Sequence, residues 1–260
     1  MPPNSLRPPR LQATLHPLSP PYADLLAMLN ALQRHYPSSQ CIGLDDFTAG
    51  QFLQWQSQQI LPASLQHSHP KRQTEFLAGR YCAQHALQQL GHPIQHLLAR
   101  QTNGQVDWPI GYTGSISHHR GHAMAWVARN QDHQALALDV EGWLQPHQAV
   151  RLWPRLSTLT EMQLGEQLGY CPATWLTVIF SAKETLYKLL AHQTARVMPF
   201  LSATLISAQI LPDRLQLGLQ LSVDWTDLWV QGSTVEVIAY GSPHLLLTAA
   251  QLSSLPPDDL

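Results

Sequence analysis

The clearest periodic stretch of the chain is ALALDVE, residues 135–141, in which apolar and polar side chains alternate. Because side chains on a β-strand point alternately to its two faces, the three large apolar side chains share one face. Asp139 and Glu141 share the other face, where they are neighbours roughly 6–7 Å apart. Like charges at that separation repel each other, so the pattern indicates a cation or a proton between them.

The remaining chain alternates between helical and strand patterns. Apolar positions three or four residues apart predict helices, and short alternating runs predict strands. The patterns predict helices at 21–36, 71–91 and 172–193, a strand–turn–strand unit at 114–130, a turn at 131–134 before the carboxylate strand, and a hairpin at 233–252.

Two of the predicted helices share a short similarity. Residues 76–87 and 180–190 both contain Phe-x-Ala followed by a basic residue, and each helix is followed later by a hairpin. The repetition predicts two similar α/β halves that join near residues 130–134.

Composition excludes several classes of protein. Only 12% of the residues are charged and the formal net charge is -2. A generally basic nucleic-acid binder is therefore excluded, and any phosphate-binding surface must be local. Cys41, Cys82 and Cys171 lie far apart without a CxxC pair, which indicates free thiols in a reducing compartment. Neither a signal peptide nor an apolar run of about 18 residues is found, so we expect a cytoplasmic protein.

The helix predicted at 172–193 has one apolar stripe and an opposite polar face that carries Glu184 and Lys188. These two side chains are four residues apart and therefore neighbours. They form either an ordinary surface ion pair, worth a few tenths of a kcal/mol, or part of a cluster with Asp139 and Glu141. The second interpretation requires that this face meets the carboxylate strand.

A cluster of three carboxylates without Cys or His favours a hard cation. Mg²⁺ prefers oxygen ligands and commonly shares its coordination shell with substrate phosphates, and Mn²⁺ is the alternative. Asp139, Glu141 and Glu184 are therefore the predicted metal ligands, and the adjacent Lys188 indicates phosphate chemistry. Many strands carry D-x-E without a metal, so this prediction depends on the helix.

The first half of the chain supplies candidate phosphate ligands. Arg80 lies at the edge of an apolar helix stripe, and Arg72 lies two turns before it. Each arginine is either a phosphate ligand or a residue whose aliphatic stem covers the core. Ser117 and His118 follow in the strand–turn–strand unit. A lone strand histidine is more often structural, but in a chain with so few charges this combination favours phosphate binding.

Four sequence blocks, in order, resemble the 4'-phosphopantetheinyl transferase superfamily. They are KRQTEFLAGRYCAQHAL, WPIGYTGSISHHRGHAMAWVA, ALALDVE and FSAKETLYKLL. The R-x-x-E-F-x-x-G-R helix and the W-P-x-G lead into S-x-S-H resemble the enterobactin synthase component D-like branch of the Sfp-type enzymes. The resemblance spans about residues 71–190, whereas residues 1–65 and 195–232 are uninformative.

The resemblance implies an α/β (α+β) fold, a pseudo-dimer of two similar α/β halves with the active site in the cleft between them. We therefore expect an N-terminal half at 21–132 that binds coenzyme A and a C-terminal half at 133–254 that carries the metal site. The composition of the two ends predicts a disordered Pro-rich N-terminus at 1–20 and a tail at 255–260.

The resemblance also assigns site residues. The metal ligands of the family fall on Asp139, Glu141 and Glu184, and the catalytic pair falls on Glu184 and Lys188. The implied coenzyme A contacts are Arg72, Arg80, Asn103, Gly104, Gln105, Ser117, His118, Lys183 and Lys188. Ala137 and Gln105 depart from the family pattern, in which the first is glycine and the second is often basic or proline.

The implied activity is transfer of the phosphopantetheine arm of coenzyme A to a serine of an acyl or peptidyl carrier protein, with release of 3',5'-ADP. Such enzymes serve secondary metabolism, for example siderophore or polyketide biosynthesis. Lys188 stabilises the leaving group, and Glu184 takes the serine proton either directly or through a metal-bound water. The alternatives are another Mg²⁺-dependent phosphoryl enzyme and a non-catalytic homologue that binds coenzyme A or carrier protein. We expect a monomer that binds neither nucleic acid nor membrane.

Carrier proteins of this family are acidic around the acceptor serine, which implies a small basic and apolar docking patch. The segment that contains Arg196, Val197, Met198 and Phe200 is one candidate. The alternative is that its apolar residues belong to the core.

Overall fold

The computed structural model describes residues 21–44, 61–92, 98–101, 104–191 and 198–253. The helices are α1 (Pro21–His35), α2 (Ala63–Gln66), α3 (Pro70–Gln89), α4 (Pro146–Leu156), α5 (Leu159–Gln167) and α6 (Pro172–Ala191). The strands are β1 (Ser39–Leu44), β2 (Tyr112–His119), β3 (His122–Arg129), β4 (His133–Gly142), β5 (Ala203–Ile210), β6 (Leu215–Leu221), β7 (Thr234–Gly241) and β8 (Leu245–Ser253). The mixed α/β class is confirmed. The predicted terminal segments 1–20 and 255–260 lie outside the described residues.

The strands form two antiparallel sheets. The first has the order β1-β3-β2, and the second has the order β4-β8-β7-β6-β5. The predicted strand–turn–strand unit is the pair β2–β3, and the predicted final hairpin is β7–β8. The three long predicted helices correspond to α1, α3 and α6. The sequence interpretation did not identify β1, α2, α4, α5, β5 or β6.

The two sheets meet at a seam between the edge strands β2 and β4. Ser115 Oγ accepts a hydrogen bond from the amide of Leu138 at 3.0 Å, and Ser117 Oγ accepts one from Val140 at 3.2 Å. Edge strands carry unpaired backbone donors and acceptors. Two serine hydroxyls therefore satisfy the edge of β4 in place of a backbone ladder, and they hold β2 alongside the carboxylate strand.

Helices cover both faces of this arrangement. α3 packs on the first sheet, where Leu77 contacts a core that includes Ala125. α6 packs on the second sheet, where Ile179 lies in the same core as Ala137. α1 covers the opposite side and shares one core with β3, β4, β7 and β8, including Leu138. The alternation of 135–141 is confirmed, because its odd and even positions enter different cores.

α6 is buried on nearly all sides, including much of its polar face. Thr177, Ser181 and Thr185 are fully buried. Their hydroxyls contact neighbouring elements, so this face is an internal polar surface and not a solvated one. None of the helices in the described ranges combines the length and apolar character that crossing a bilayer requires.

Candidate active site

Asp139, on β4, lies at the centre of the site. Its buried carboxylate accepts hydrogen bonds at Oδ1 from Lys188 Nζ at 2.6 Å and from Ser117 Oγ at 3.0 Å. Oδ2 accepts a hydrogen bond from Ser181 Oγ at 2.8 Å. The polar face of α6 therefore meets the carboxylate strand, which was the condition for the cluster interpretation.

A hydroxyl network supports Asp139 from behind. Ser181 Oγ lies 2.8 Å from Thr248 Oγ1 on β8, and Thr248 Oγ1 lies 2.7 Å from Thr185 Oγ1. All three hydroxyl-bearing residues are buried. Because buried polar groups need hydrogen-bond partners, this chain fixes the Ser181 hydroxyl and thereby the orientation of Asp139.

Glu141 lies two residues further along the same face of β4. His119 Nδ1 on β2 lies 3.1 Å from its Oε2 atom. Both acidic side chains of the strand are thus bound by side chains of β2, Asp139 by Ser117 and Glu141 by His119.

Glu184 projects from α6 toward the same acidic pair. Burial raises the pKa of its carboxyl group above the usual value, the ammonium of Lys188 opposes that shift, and the charges of Asp139 and Glu141 add to it. The three carboxylates therefore share one electrostatic environment. Among the residues that the structure describes, no three His, Cys, Asp or Glu side chains come close enough together to hold a metal ion.

A second polar site lies between α3 and β2, in a cavity of about 240 Å³ that we call the arginine pocket. Its polar lining comprises Arg72, Glu75, Arg80, Arg100, Gln105 and His118. Gly104 completes one wall. The structure therefore brings Arg72, Arg80, Gly104, Gln105 and His118 together around one cavity. Asn103 lies outside the described residues.

Arg80 is buried at the inner wall of the arginine pocket. Its Nε donates to the carbonyl oxygen of Leu98 at 3.0 Å, and its guanidinium carbon lies 4.6 Å from the centroid of the Phe76 ring. Burial lowers the pKa of Arg80 to about 10, and the neighbouring Arg100 contributes to the shift. The side chain remains protonated at neutral pH, so its guanidinium charge lies close to that of Arg100.

Arg100 is a candidate ligand that the sequence interpretation missed. Its Nε donates to the carbonyl oxygen of Gly104 at 3.1 Å, across a short turn in which Gly104 has φ +90°. The left-handed backbone favours glycine here. A Cβ at that position would also lie 2.9 Å from Arg100 Nη2, so the flexible end of Arg100 would have to shift. In the sequence, the signal that could have identified Arg100 is the Asn-Gly pair three residues after it, because such pairs are typical of turns.

Two adjacent residues of β2, Ser117 and His118, point to different sites. His118 lines the arginine pocket, where its Nδ1 lies 3.6 Å from Glu75 Oε2. Burial lowers the pKa of His118, and Glu75 opposes that shift. Ser117 points to the other side and contacts Asp139, Val140 and Lys188. The structure therefore places Ser117 with the carboxylates and not among the lining residues of the arginine pocket.

Two of the predicted coenzyme A ligands make hydrogen bonds within the protein. Lys183 is fully buried, where its Nζ lies 2.8 Å from Glu161 Oε1 and donates to the carbonyl oxygen of Leu156 at 2.9 Å. Its ammonium is therefore not at the arginine pocket. Gln105 lines the pocket, but its amide donates to the carbonyl oxygen of Ala191 at the end of α6.

The candidate docking patch is only partly described, because residues 196 and 197 lie outside the described ranges. Met198 is buried in the core of the second sheet. The ring of Phe200 packs against that of Phe180 with centroids 5.4 Å apart. For these two residues the structure supports the core interpretation.

Comparisons of the sequence with known proteins show the family of the chain. A family model, the 4'-phosphopantetheinyl transferase N-terminal domain, matches residues 60–128. The chain is 31% identical over 197 residues to enterobactin synthase component D of Salmonella austin, an alignment that covers 70% of this chain and 79% of that protein. It is 33% identical to the component D protein of Salmonella typhi, with coverage of 55% and 61%, respectively. It is 32% identical to the 4'-phosphopantetheinyl transferase PptT of Mycobacterium tuberculosis, with coverage of 50% and 56%.

The chain belongs to the 4'-phosphopantetheinyl transferase family. The resemblance read from the four sequence blocks is thereby confirmed, including its relation to enterobactin synthase component D. The alignment covers 61% of the Salmonella typhi protein, so the chain spans about three-fifths of the length of that relative.

Proposed function

We propose that this protein transfers the 4'-phosphopantetheine arm of coenzyme A to a serine of an acyl or peptidyl carrier protein and releases 3',5'-ADP. One observation carries the proposal: consecutive residues of β2 face two complementary sites. His118 faces a cationic pocket, and Ser117 faces an acidic cluster that contains a lysine. A ligand with several phosphates can span both, and membership of the transferase family supports this ligand class.

The proposal includes a pseudo-dimeric organisation with the active site in the cleft between the halves. The first sheet is built from residues 39–129 and the second from residues 133–253, in agreement with a division into halves at 21–132 and 133–254. A long helix packs on each sheet, α3 on the first and α6 on the second. Both candidate sites border β2, the strand at the seam.

In this proposal the arginine pocket binds the 3'-phosphate of coenzyme A. Arg72, Arg80 and Arg100 line the same cavity, and no carboxylate forms an ion pair with any of them within the described part of the chain. Guanidinium groups match phosphate geometry and form charge-assisted hydrogen bonds with it. In a chain with a net charge of -2, such a local excess of positive charge favours an anionic ligand.

We assign Mg²⁺, or alternatively Mn²⁺, to Asp139, Glu141 and Glu184. The donor set is all oxygen, which is the ligand type that Mg²⁺ prefers. The three carboxylates do not come close enough together to hold the ion by themselves in this structure, so the proposal relies on the phosphates of the ligand to complete the coordination shell. When bound, a divalent cation supplies neutralisation of the pyrophosphate charge.

Two side chains of α6 carry the proposed chemistry. Glu184 accepts the proton of the attacking serine, either directly or through a water molecule. The serine oxygen forms a bond to the β-phosphorus while the bond from that phosphorus to the bridging oxygen breaks. Lys188 donates a hydrogen bond to the departing 3',5'-ADP, which carries the negative charge.

The proposal is tested by incubating the protein with coenzyme A, Mg²⁺ and an apo carrier protein, and following the mass of the carrier. A mass gain of one phosphopantetheine group together with release of 3',5'-ADP is expected. Binding of coenzyme A without any mass gain across acyl and peptidyl carriers would instead indicate a non-catalytic homologue. Release of phosphate products without a modified carrier would indicate a hydrolase.

A further inference from the structure

The ammonium group of Lys188 contacts Asp139 Oδ1, an oxygen atom that the proposed function assigns to metal coordination. Its Nζ lies 2.6 Å from Asp139 Oδ1 and also donates to Ser117 Oγ and to the carbonyl oxygen of Leu138, each at 3.2 Å. The ammonium is thus fully engaged by β2 and β4. A divalent cation at the same oxygen would face this positive charge at hydrogen-bond distance.

Lys188 also borders open space. It lines a cavity of about 180 Å³ together with Gly104, Gln105 and Ser115. Gly104 and Gln105 also line the arginine pocket, so this cavity continues toward the proposed phosphate site. The flexible stem of a lysine carries its ammonium as a mobile point charge. A bound phosphate would therefore attract the ammonium group of Lys188, and the adjacent cavity gives that group space to move.

We propose that Lys188 is a placeholder cation. In the free protein its ammonium neutralises Asp139 and competes with the metal ion, and the phosphates of coenzyme A draw it away and release Asp139 for coordination. This inference rests on the proposed function and deepens it, because it couples the two ligands. Metal and coenzyme A must then bind with positive cooperativity, and the coupling is reciprocal.

Direct metal binding to the free protein tests the competition without any turnover. Mn²⁺ is titrated into wild type and Lys188→Met in the absence of nucleotide, and unbound Mn²⁺ is measured by electron paramagnetic resonance. Loss of a charged hydrogen bond that the metal must otherwise break should make the variant bind Mn²⁺ about tenfold more tightly. Lys188→Gln is the second neutral variant and should behave in the same way.

A matched control separates competition from general electrostatics. Arg72→Gln removes one positive charge from the neighbouring pocket, and the free variant should bind Mn²⁺ within twofold of wild type. The titrations are then repeated with saturating coenzyme A. Wild type should gain about tenfold more Mn²⁺ affinity from coenzyme A than Lys188→Met does, because the variant has no lysine to displace.

Equal Mn²⁺ affinity of the free wild type and both Lys188 variants would overturn the placeholder role while leaving the proposed transfer intact. The same holds if Arg72→Gln tightens Mn²⁺ binding as much as Lys188→Met. Absence of Mn²⁺ binding in every protein, with and without coenzyme A, would overturn the placeholder role and the proposed metal site together. A carrier protein that gains no mass, with the expected Mn²⁺ affinities, would overturn only the transfer.

Discussion

Lys183 Nζ lies 2.8 Å from Glu161 Oε1, and neither side chain is accessible to solvent. Glu161 also accepts hydrogen bonds from the amides of Thr158 at 2.7 Å and Leu205 at 2.8 Å. One ion pair therefore ties α6 to α5 and β5. Glu184, the proposed base, follows Lys183 directly in α6. The Lys183–Glu161 ion pair therefore also fixes the position of Glu184 along β4.

Lys183→Met should destabilise the protein by about 3–5 kcal/mol, because it leaves the carboxylate of Glu161 buried without its counter-ion. The free energy of unfolding from urea titration measures the effect. The double variant with Glu161→Gln keeps an acceptor oxygen and removes the uncompensated charge, so it should recover part of the loss. A single Lys183→Met variant within 1 kcal/mol of wild type would show that the pair is not stabilising.

Asp139→Ala should abolish transfer, with a fall in kcat of at least about 100-fold, while the protein stays folded. The substitution removes a proposed metal ligand and the partner of Lys188. Ser181→Ala removes the hydrogen bond to Oδ2 and the contact with Thr248 Oγ1 and should cost about tenfold. Glu141→Ala should be milder than Asp139→Ala. Turnover with Mg²⁺ is the measurement, and near wild-type kcat for Asp139→Ala would contradict the site assignment.

Arg100→Gln should raise the KM for coenzyme A about tenfold and leave the KM for dephospho-coenzyme A nearly unchanged. The reason is that the two substrates differ by the 3'-phosphate, which the arginine pocket is proposed to bind. The matched control is Arg151→Gln, an equal charge change at an exposed position of α4. If both substrates lose affinity equally in Arg100→Gln, the arginine does not recognise the 3'-phosphate.

Gly104→Ala should raise the KM for coenzyme A by displacing Arg100, since the new Cβ would lie 2.9 Å from Nη2. The left-handed backbone at φ +90° adds a strain of about 1–2 kcal/mol. Gly232→Ala is the control, because Gly232 has φ +89° and a Cβ there would meet no atom within 4 Å. Both variants should lose similar stability, and only Gly104→Ala should change the KM. Equal KM values of the two variants for coenzyme A would show that Gly104 does not influence coenzyme A binding through Arg100.

The sequence predicted the parts of the site that depend on local periodicity. The period-two alternation placed Asp139 and Glu141 on one face, and the four-residue spacing placed Glu184 beside Lys188; both follow from backbone geometry alone. That the helix face meets the strand was conditional in the sequence and is confirmed by the contact of Ser181 with Asp139. The roles of these residues in catalysis remain predictions.

The missed features depend on contacts between distant segments. No spacing rule links Lys183 to Glu161, since which buried acid meets a buried lysine is decided by how three elements pack. Arg100 was missed because a lone arginine outside a helix or a long strand has no periodic neighbour. β6 is a different case: its sequence, LQLGLQL, alternates cleanly and carried a strand signal that the interpretation did not use. α4 contains an internal proline, which weakens a helical signal.

Hydrogen exchange can report on the seam between β2 and β4. The amide protons of Leu138 and Val140 are held by the hydroxyls of Ser115 and Ser117 and not by a backbone ladder. Their exchange with deuterium therefore measures separation of the two sheets, while amides within β7 and β8 measure unfolding of one sheet. A ligand that spans the seam should slow exchange of the Leu138 and Val140 amides selectively. Its effect on the separation of the two sheets can then be measured at individual residues without an enzymatic assay.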